Sequence, residues 1–288
     1  MQKILIQLDT DPNPSVFDRV VAIDAGTEQL FSYGNISPAN VTELVHGAMF
    51  TRGPADLKNT AIFIGGSSAE AGEALLQKVT KTFFGPLQVS VMMDSNGCNT
   101  TAAAAVALAR RHHSLQGIRA TVLGGTGPVG LRAAEQLACE GAVVQLVSRS
   151  QDRAESACQG IRERLPDALL HAVGASDGFE DVCADSEVVI AAGAAGVCFL
   201  PAGSLTQLPK LRVAIDLNAV PPAGLSDIGV TDKAVTRGET LCFGALGVGG
   251  LKMKVHRRAV GQLFAANDAV LDTMAIYQLA REIADAAS

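Results

Sequence analysis

Gly125-Thr126-Gly127-Pro128-Val129-Gly130 fits the pattern G-x-G-x-x-G. Three such glycines alone are a weak signal, but the surroundings strengthen this one. The apolar run Ala120–Leu123 precedes it, the helix-forming stretch LRAAEQLACEGA follows, and a second apolar run, Val143–Val147, comes next. That is the order of a strand–turn–helix–strand nucleotide site. Gly125 allows the tight turn, Gly127 lets the backbone approach a pyrophosphate, and Gly130 lets helix and strand pack closely. Thr126, Pro128 and Val129 fill the rest of the turn, whose free N–H groups sit at the positive end of the helix. The second strand ends in Val147-Ser148-Arg149-Ser150, with no acid. An acid there would accept bonds from a ribose diol and repel a 2′-phosphate. Arg149 attracts that phosphate, and Ser148 and Ser150 can donate to it. The expected cofactor is therefore NADP. Asp152 and Arg153 read as the start of the next helix.

Polar residues also crowd three strand ends in the first third of the chain: Asp9-Thr10-Asp11, Gly65-Gly66-Ser67 and Asp94-Ser95-Asn96. Ligands of open parallel sheets bind beyond the carboxyl ends of the strands. Asp11, Asp18, Asp94, Ser95, Asn96 and Asn99 are therefore candidates for substrate contact. The competing explanation is that Asp and Asn after a strand are turn residues and helix caps, which suits Asp9. In the second half, Ala192 and Gly193 end one apolar run and Asn218 ends another, positions suited to a nicotinamide ribose. Gly247, within the glycine-rich Gly244–Gly250 stretch, is expected to form the last wall. Lys252 and Lys254 follow it; their i, i+2 spacing puts them on different faces of a helix. His256 reads as a packed or solvated residue.

The elements that must position these groups read as an α/β fold with a parallel sheet. In the first part, Lys3–Asp9, Ala61–Ser67 and Leu87–Asp94 are predicted strands. Ala71, Leu75, Val79 and Phe83 mark a helix between the second and third. An alanine-rich helix starting near Asn99 leads into a second strand system: Ala120–Leu123, Val143–Val147, His171–Val173, Val188–Ala192 and Val213–Leu217. Helical segments separate most of these runs, as in a doubly wound Rossmann-type sheet. The predicted organisation is a substrate domain over 1–113 and a dinucleotide domain over 114–255. C-terminal helices over 256–288 return to the first domain, with Ile276, Leu279 and Ile283 on one stripe of the last helix.

Composition narrows the function. The 288 residues are 48% hydrophobic and 18% charged, with net charge −6 and no Lys/Arg run. That predicts a folded chain and no nucleic-acid partner. No apolar run reaches the ~18 residues of a membrane span. MQKILIQLDTD lacks the layout of a secretory signal, so the cytoplasm is the expected compartment. None of the six cysteines is spaced C-x-x-C or sits beside a His pair, which argues against a structural zinc site, any other metal centre or a disulfide framework. Tyr33 and Tyr277 are the only tyrosines and neither has Lys four residues on. That excludes the Tyr-x-x-x-Lys of short-chain dehydrogenases and speaks against the usual methylenetetrahydrofolate dehydrogenase–cyclohydrolases. Asn40-Val41-Thr42-Glu43-Leu44-Val45-His46 lacks the proline and lysine of the shikimate dehydrogenase signature. Zinc alcohol dehydrogenases fail on ligands.

Four stretches carry a more specific pattern: DTDPNPSVFD (9–18), FFGPLQVSVMMDSNGCNTTAAA (83–104), GTGPVG (125–130) and FGALGVGGLKMKVHR (243–257). Over nearly its whole length the chain resembles the NADP-dependent methylene-tetrahydromethanopterin dehydrogenases of methylotrophic bacteria. The resemblance implies oxidation of methylene-tetrahydromethanopterin in one-carbon (formaldehyde) oxidation, with methylene-tetrahydrofolate as a further substrate of some members. It also implies a homo-oligomer. Ser148-Arg149-Ser150 has one cation fewer than the Gly-Arg-Lys of the strictly NADP-using type, which leaves NAD use open. In such a reaction a methylene bridge between two nitrogens loses hydride and leaves a methenyl cation, so no general base is required. A carboxylate or amide oxygen would stabilise that cation, and a lysine would serve only on a remote part of the pterin. On that logic Asp18, Asn96, Lys252 and Lys254 are ranked as the catalytic candidates, with Asp11, Asp94, Ser95 and Asn99 as substrate contacts. Two alternatives stay open: an NADP oxidoreductase of another small substrate, which would need a proton donor in its cleft, and a non-catalytic NADP-binding sensor.

Overall fold

The computed structural model describes residues 1–286. Ala287, the last residue of the expected C-terminal helix, and Ser288 lie outside the described residues. The chain divides into two compact units: Met1–Thr100 with Met253–Leu279, and Thr101–Lys252 with the chain from Ala280 onward.

Unit 1 contains β1 (Ile4–Asp9), α1 (Val16–Asp24), β2 (Gln29–Tyr33), α2 (Thr42–Phe50), β3 (Thr60–Gly65), α3 (Ala69–Thr82) and β4 (Ser90–Met93). The start of α4 (Cys98–His112) also belongs to it. Its five-stranded sheet runs β12-β4-β3-β1-β2, where β12 is Val270–Leu271, and every pairing is parallel. Strands buried on both faces read as continuous apolar runs. Accordingly β3 and β4 are buried along their whole length. The expected helix forms as α3: Leu75 and Val79 are buried in the core against Ile62, Ile64 and Val91, and the Ser68 side chain caps it by accepting from the Ala71 N–H. Strand order reverses beside β1, so the loops after β1 and β3 meet at a topological switch point.

Unit 2 continues through β5 (Arg119–Leu123), α5 (Pro128–Cys139), β6 (Val143–Ser148), α6 (Gln151–Arg164), β7 (Leu170–Gly174), α7 (Phe179–Cys183), β8 (Val188–Ala191), β9 (Val213–Asp216), β10 (Lys233–Arg237) and β11 (Thr240–Phe243). The seven-stranded order is β10-β11-β9-β8-β5-β6-β7. Apart from the antiparallel edge strand β10, this is the doubly wound dinucleotide-binding order. The five strands expected here form within one residue of their predicted ends.

Two further helices carry the division between the units. α8 (Ala245–Gln262) crosses it between Lys252 and Met253, and α9 (Thr273–Ala286) between Leu279 and Ala280. The glycine-rich stretch expected to be a loop wall is therefore helical: Gly247 lies in α8. A Cβ on Gly247 would stand 1.8 Å from the Asp232 carbonyl oxygen, so close packing of the helix against β10 requires this glycine. α9 also departs from a simple return to the first part of the chain. Thr273 donates to Asn99 in unit 1, whereas Asp285 and Arg281 pair with Arg110 and Glu140 in unit 2. No helix among the described residues is long and apolar enough to cross a membrane.

Candidate functional site

In unit 2 the glycine turn joins β5 to α5 and opens into a cleft of about 440 Å³. The sharp bend falls at Gly124, whose φ is +74°, one residue before the glycine expected to make it. A Cβ on Gly124 would meet the Gly193 backbone at 2.8 Å, so this glycine lets the turn lie against the end of β8. Gly125 is buried under Leu146. Gly130 does what its place in the motif requires: a Cβ there would stand 2.4 Å from the Gly124 carbonyl. A Cβ on Gly127 would come no nearer than 3.4 Å to its surroundings, at the Gly124 carbonyl oxygen, to which the Gly127 N–H donates at 3.1 Å. Pro128 is the first residue of α5.

Thr126, Gly127, Ser148, Arg149, Ser150, Ala192 and Gly193 all line this cleft. Thr126 Oγ1 and Ser148 Oγ lie 3.2 Å apart and couple the turn to the end of β6. Ser150 caps α6, its hydroxyl accepting from the Arg153 N–H at 3.4 Å. Among the described residues no Asp or Glu lines the cleft, which is therefore positive and rich in hydroxyls. Val129 is half-buried and is not among the lining residues.

Outside the turn, Asn218 and Gly247 are likewise not among the lining residues. Asn218 donates from Nδ2 to the Pro222 carbonyl at 2.8 Å and accepts from the Val220 N–H at 3.0 Å. Its amide is thus engaged in shaping its own loop. Gly247 is in α8, as described. Beside them, burial pushes the Asp216 carboxyl up, opposed by N–H bonds from Leu225, Asn218 and Gly224. Sequence reading missed Arg153, Ser176, Phe179, Val197, Cys198 and Phe199 on the cleft wall. For Arg153 the signal was there, since a residue in the first turn after β6 stays close to the end of that strand.

In unit 1 most of the acids at strand ends are engaged with the fold itself. Asp9 accepts from the Asp11 and Ser15 N–H groups. The Asp11 carboxylate accepts from the Ser67 N–H at 3.0 Å and the Ser67 hydroxyl at 2.9 Å, which ties the β1 loop to the β3 loop. Asp94, expected to touch substrate, is fully buried. It accepts from the Asn99 and Thr100 N–H groups at 2.9 and 3.0 Å and from the Thr100 hydroxyl at 2.6 Å, capping the start of α4. Ser95 is buried too, donating to the Gly65 carbonyl at 3.2 Å in space that only Gly72 leaves free. Asn99 donates to the Met93 carbonyl at 2.6 Å and accepts from Thr273. For Asp94, Ser95 and Asn99 the expectation of substrate contact is thus corrected: buried polar groups must find partners, and theirs are internal.

Asp18 and Asn96 remain. Asp18 lies in the first turn of α1 with 13% of its side chain exposed. Beneath it is the fully buried His256, whose Nε2 is 4.0 Å from Asp18 Oδ1 and whose Nδ1 is 3.9 Å from Asp94 Oδ2. The ring stacks on Phe63, with centroids 5.7 Å apart. His256 is therefore packed, as read from sequence, but packed directly under a candidate carboxylate. Asn96 is exposed, with φ +54° held by its N–H bond to the Gly66 carbonyl at 2.7 Å. Lys252 is half-buried and Lys254 exposed on α8.

Comparison with known proteins agrees with both units. A family model described as "Methylene-tetrahydromethanopterin dehydrogenase, N-terminal" matches residues 16–96. The "Bifunctional protein MdtA" of Methylorubrum extorquens is 44% identical over 286 residues, covering 98% of this chain and 99% of the relative. The "NAD(P)-dependent methylenetetrahydromethanopterin dehydrogenase" of the same organism is 36% identical over 298 residues, covering 98% and 99%. Among solved structures, a 5-ketofructose reductase of Gluconobacter is similar in fold, with TM-score 0.54, 18% identity and coverage of 98% and 99%. Quinate dehydrogenase from Corynebacterium glutamicum in complex with NAD gives TM-score 0.53, 15% identity and coverage of 96% and 98%.

Proposed function

This chain belongs to the methylene-tetrahydromethanopterin dehydrogenase family, and from that premise we propose that it oxidises methylene-tetrahydromethanopterin to the methenyl form with NADP, and also NAD, as hydride acceptor. The observation that carries the reading is the acid-free cleft at the glycine turn, with Arg149 at its β6 end. The residues present fit a dinucleotide phosphate. Gly127 lines the cleft without a side chain, the turn leads into the positive end of α5, and serines and arginine stand where an NAD-specific site usually has an acid. When bound, the nicotinamide supplies the hydride-accepting carbon.

The chain's own work is positioning and electrostatics. Loss of hydride leaves a cation shared by two nitrogens, so a fixed carboxylate near the reacting carbon lowers the barrier. Asp18 is the residue for that role, kept in orientation by the buried His256 beneath it. Asn96, exposed after β4 and donating its N–H to the Gly66 carbonyl of the β3 loop, offers an amide to the pterin ring. Lys252 and Lys254 are assigned to oxygens remote from the cation. Methylene-tetrahydrofolate serves as a second substrate. The protein works in the cytoplasm as a homo-oligomer, which is consistent with the exposed apolar stripe Val16, Val20 and Ile23 on α1.

The test is reduced-cofactor absorbance with purified protein, each of NADP and NAD, and each of the two methylene carriers. Turnover with NADP and the methanopterin carrier is the expected result, and the other combinations rank the preferences. Nucleotide binding without turnover on either carrier would sink the pterin assignment.

A further inference from the structure

α8 is one-sided in charge. Its 18 residues hold Lys252, Lys254, Arg257 and Arg258 beside His256 and no Asp or Glu, in a chain whose net charge is −6. Lys254, Arg257 and Arg258 are exposed, and among the described residues none of the three has an ion pair or hydrogen bond. The two arginines line an open groove of about 560 Å³ together with Gly261, Gln262 and Ala265. Among the described residues no Asp or Glu lines it. Lys254 and all of the groove residues belong to unit 1.

Helix stability does not account for these cations. The helix dipole favours a cation within the last turn, but α8 ends at Gln262 and carries no basic residue in its last turn. Arg257 and Arg258 are neighbours in sequence, so their charges repel, and no acid stands three or four residues from either on α8 to pair with them. The groove also leads away from the reacting position. Phe17, beside Asp18, has its ring 6.2 Å from that of His256, and at the far end of α1 the Ala25 carbonyl would stand 3.7 Å from a Cβ on Gly261. α1 and α8 therefore run side by side. From Arg257 to Ala265 the groove extends roughly 12 Å along the helix axis.

We propose that Arg257 and Arg258 bind the anionic tail of the folate carrier, a chain of γ-linked glutamates. The proposal deepens the function proposed above and rests on its reading of Asp18 as the residue beside the reacting carbon. In that carrier the methylene carbon bridges a pterin nitrogen and an arylamine nitrogen, and the tail leaves from the far side of the aryl ring. With the carbon at Asp18, the aryl ring meets the half-exposed Phe17 and the tail follows the seam of α1 and α8. There two guanidiniums offer paired donors to carboxylate oxygens. Each added glutamate brings one more carboxylate to a groove whose cations are unpaired. Three exposed cations on one helix are too few for a nucleic-acid footprint.

Steady-state kinetics test it, with methylene-tetrahydrofolate carrying one or five glutamates and methylene-tetrahydromethanopterin as the reference carrier. In the wild-type protein the pentaglutamate should have a KM about tenfold below that of the monoglutamate, the product of two exposed charge pairs of roughly threefold each. That advantage should shrink as ionic strength rises. R257A/R258A should lose it, in KM rather than kcat, because the groove stands away from the reacting carbon. R257K/R258K, which keeps both charges, should retain most of it. R257Q/R258Q carries the same comparison should the alanine variant fold poorly. Calorimetric titration with tetrahydrofolate pentaglutamate reads the contact without turnover and should show the same ranking of variants. A wild-type KM independent of tail length would overturn the proposal, and so would a double variant weakened equally for one glutamate and for five. Turnover of methylene-tetrahydromethanopterin but of neither folate would overturn the tail site alone. No turnover of any carrier would remove the function proposed above, and the tail site with it.

Discussion

The two units present the polar ends of their strands differently, although Asp216, at the end of β9 in unit 2, turns inward as the acids of unit 1 do. In unit 1, Asp9, Asp11, Asp94, Ser95 and Asn99 turn inward: each accepts or donates within the fold, and Asp94 alone takes three hydrogen bonds to start α4. In unit 2 the corresponding turn consists of glycines, hydroxyls and two arginines that face a cleft. A carboxylate accepts bonds from any N–H nearby, so a strand-end acid is readily absorbed into a cap or turn. A glycine turn with unpaired cations has no such internal use. Residue type at a strand end is thus a poor guide to substrate contact when the residue is Asp or Asn, and a better one when the turn cannot satisfy its own charges.

The largest expected effect comes from closing the open turn. In Gly130→Val a Cβ must occupy space 2.4 Å from the Gly124 carbonyl, where backbone faces backbone. The strain costs about 1–3 kcal/mol of stability, and the displaced turn should lose NADP binding by more than about a hundredfold, the scale of a lost phosphate cradle. Thermal unfolding and nucleotide titration measure both. Near-native NADP affinity in this variant would remove the glycine turn from the site.

Two substitutions in unit 1 separate an engaged acid from an available one. Asp94→Ala leaves two N–H donors and one buried hydroxyl without their acceptor, which costs about 3 kcal/mol. The melting temperature should fall by roughly 6–12 °C, while KM for the pterin stays within about threefold because Asp94 does not face it. Asp18→Asn should do the reverse. Removing the charge beside a developing cation lowers kcat by about a hundredfold, with the melting temperature nearly unchanged. If Asp94→Ala raised KM strongly, or Asp18→Asn left kcat intact, the contrast between the two acids would be lost.

That contrast also marks what could be read from sequence. The strands of unit 2 were legible because they are continuous apolar runs punctuated by glycines and acids. β2 was not, because its pattern is inverted. Phe31 and Tyr33 point to solvent, whereas Ser32 points in and donates to the buried Gln7 at 2.8 Å. The Gly244–Gly250 stretch misled in another way: its low helix propensity is overridden by α8 packing so close to Asp232 that a side chain at Gly247 would not fit. The glycine cradle and Arg149 could be found from local order alone. Arg153 needed the knowledge that helix and strand end share one wall, and the burial of Asp94, Ser95 and Asn99 needed the partners that only folding supplies.

A third class of polar group is buried but neither engaged nor open. The Cys183 thiol, at the end of α7, is pushed from 9.0 up to about 12 by burial, with Glu180 adding to the shift. In the unfolded chain it ionises first, near 9. Its contribution is therefore fully present below pH 9 and is lost as pH rises towards 12. Between those values the protein should lose about 1.4 kcal/mol per pH unit from this group, and the raised thiols Cys158 and Cys242 act in the same direction. Denaturant midpoints between pH 8 and pH 11 should fall less steeply in Cys183→Ala than in the wild-type protein. Parallel pH profiles would show that this thiol is not the group responsible.

Gln136 gives the smallest effect and the sharpest limit to the comparison. It is fully buried on α5, one helical turn after Arg132, yet among the described residues neither its Oε1 nor its Nε2 has a hydrogen-bond partner. Arg132, on the same face, donates to the Pro128 carbonyl at 2.9 Å. A buried amide without partners carries its desolvation cost uncompensated, so an apolar side chain of similar volume should be better tolerated there. Gln136→Leu is expected to stabilise the protein by about 1 kcal/mol, raising the melting temperature by about 2–4 °C, whereas Gln136→Ala should destabilise it by leaving a cavity. A Leu variant less stable than wild type would mean that the amide is satisfied by water held inside unit 2. Gln136 would then join the engaged groups of unit 2, beside the buried Asp216 and the Thr121–Ser186 pair.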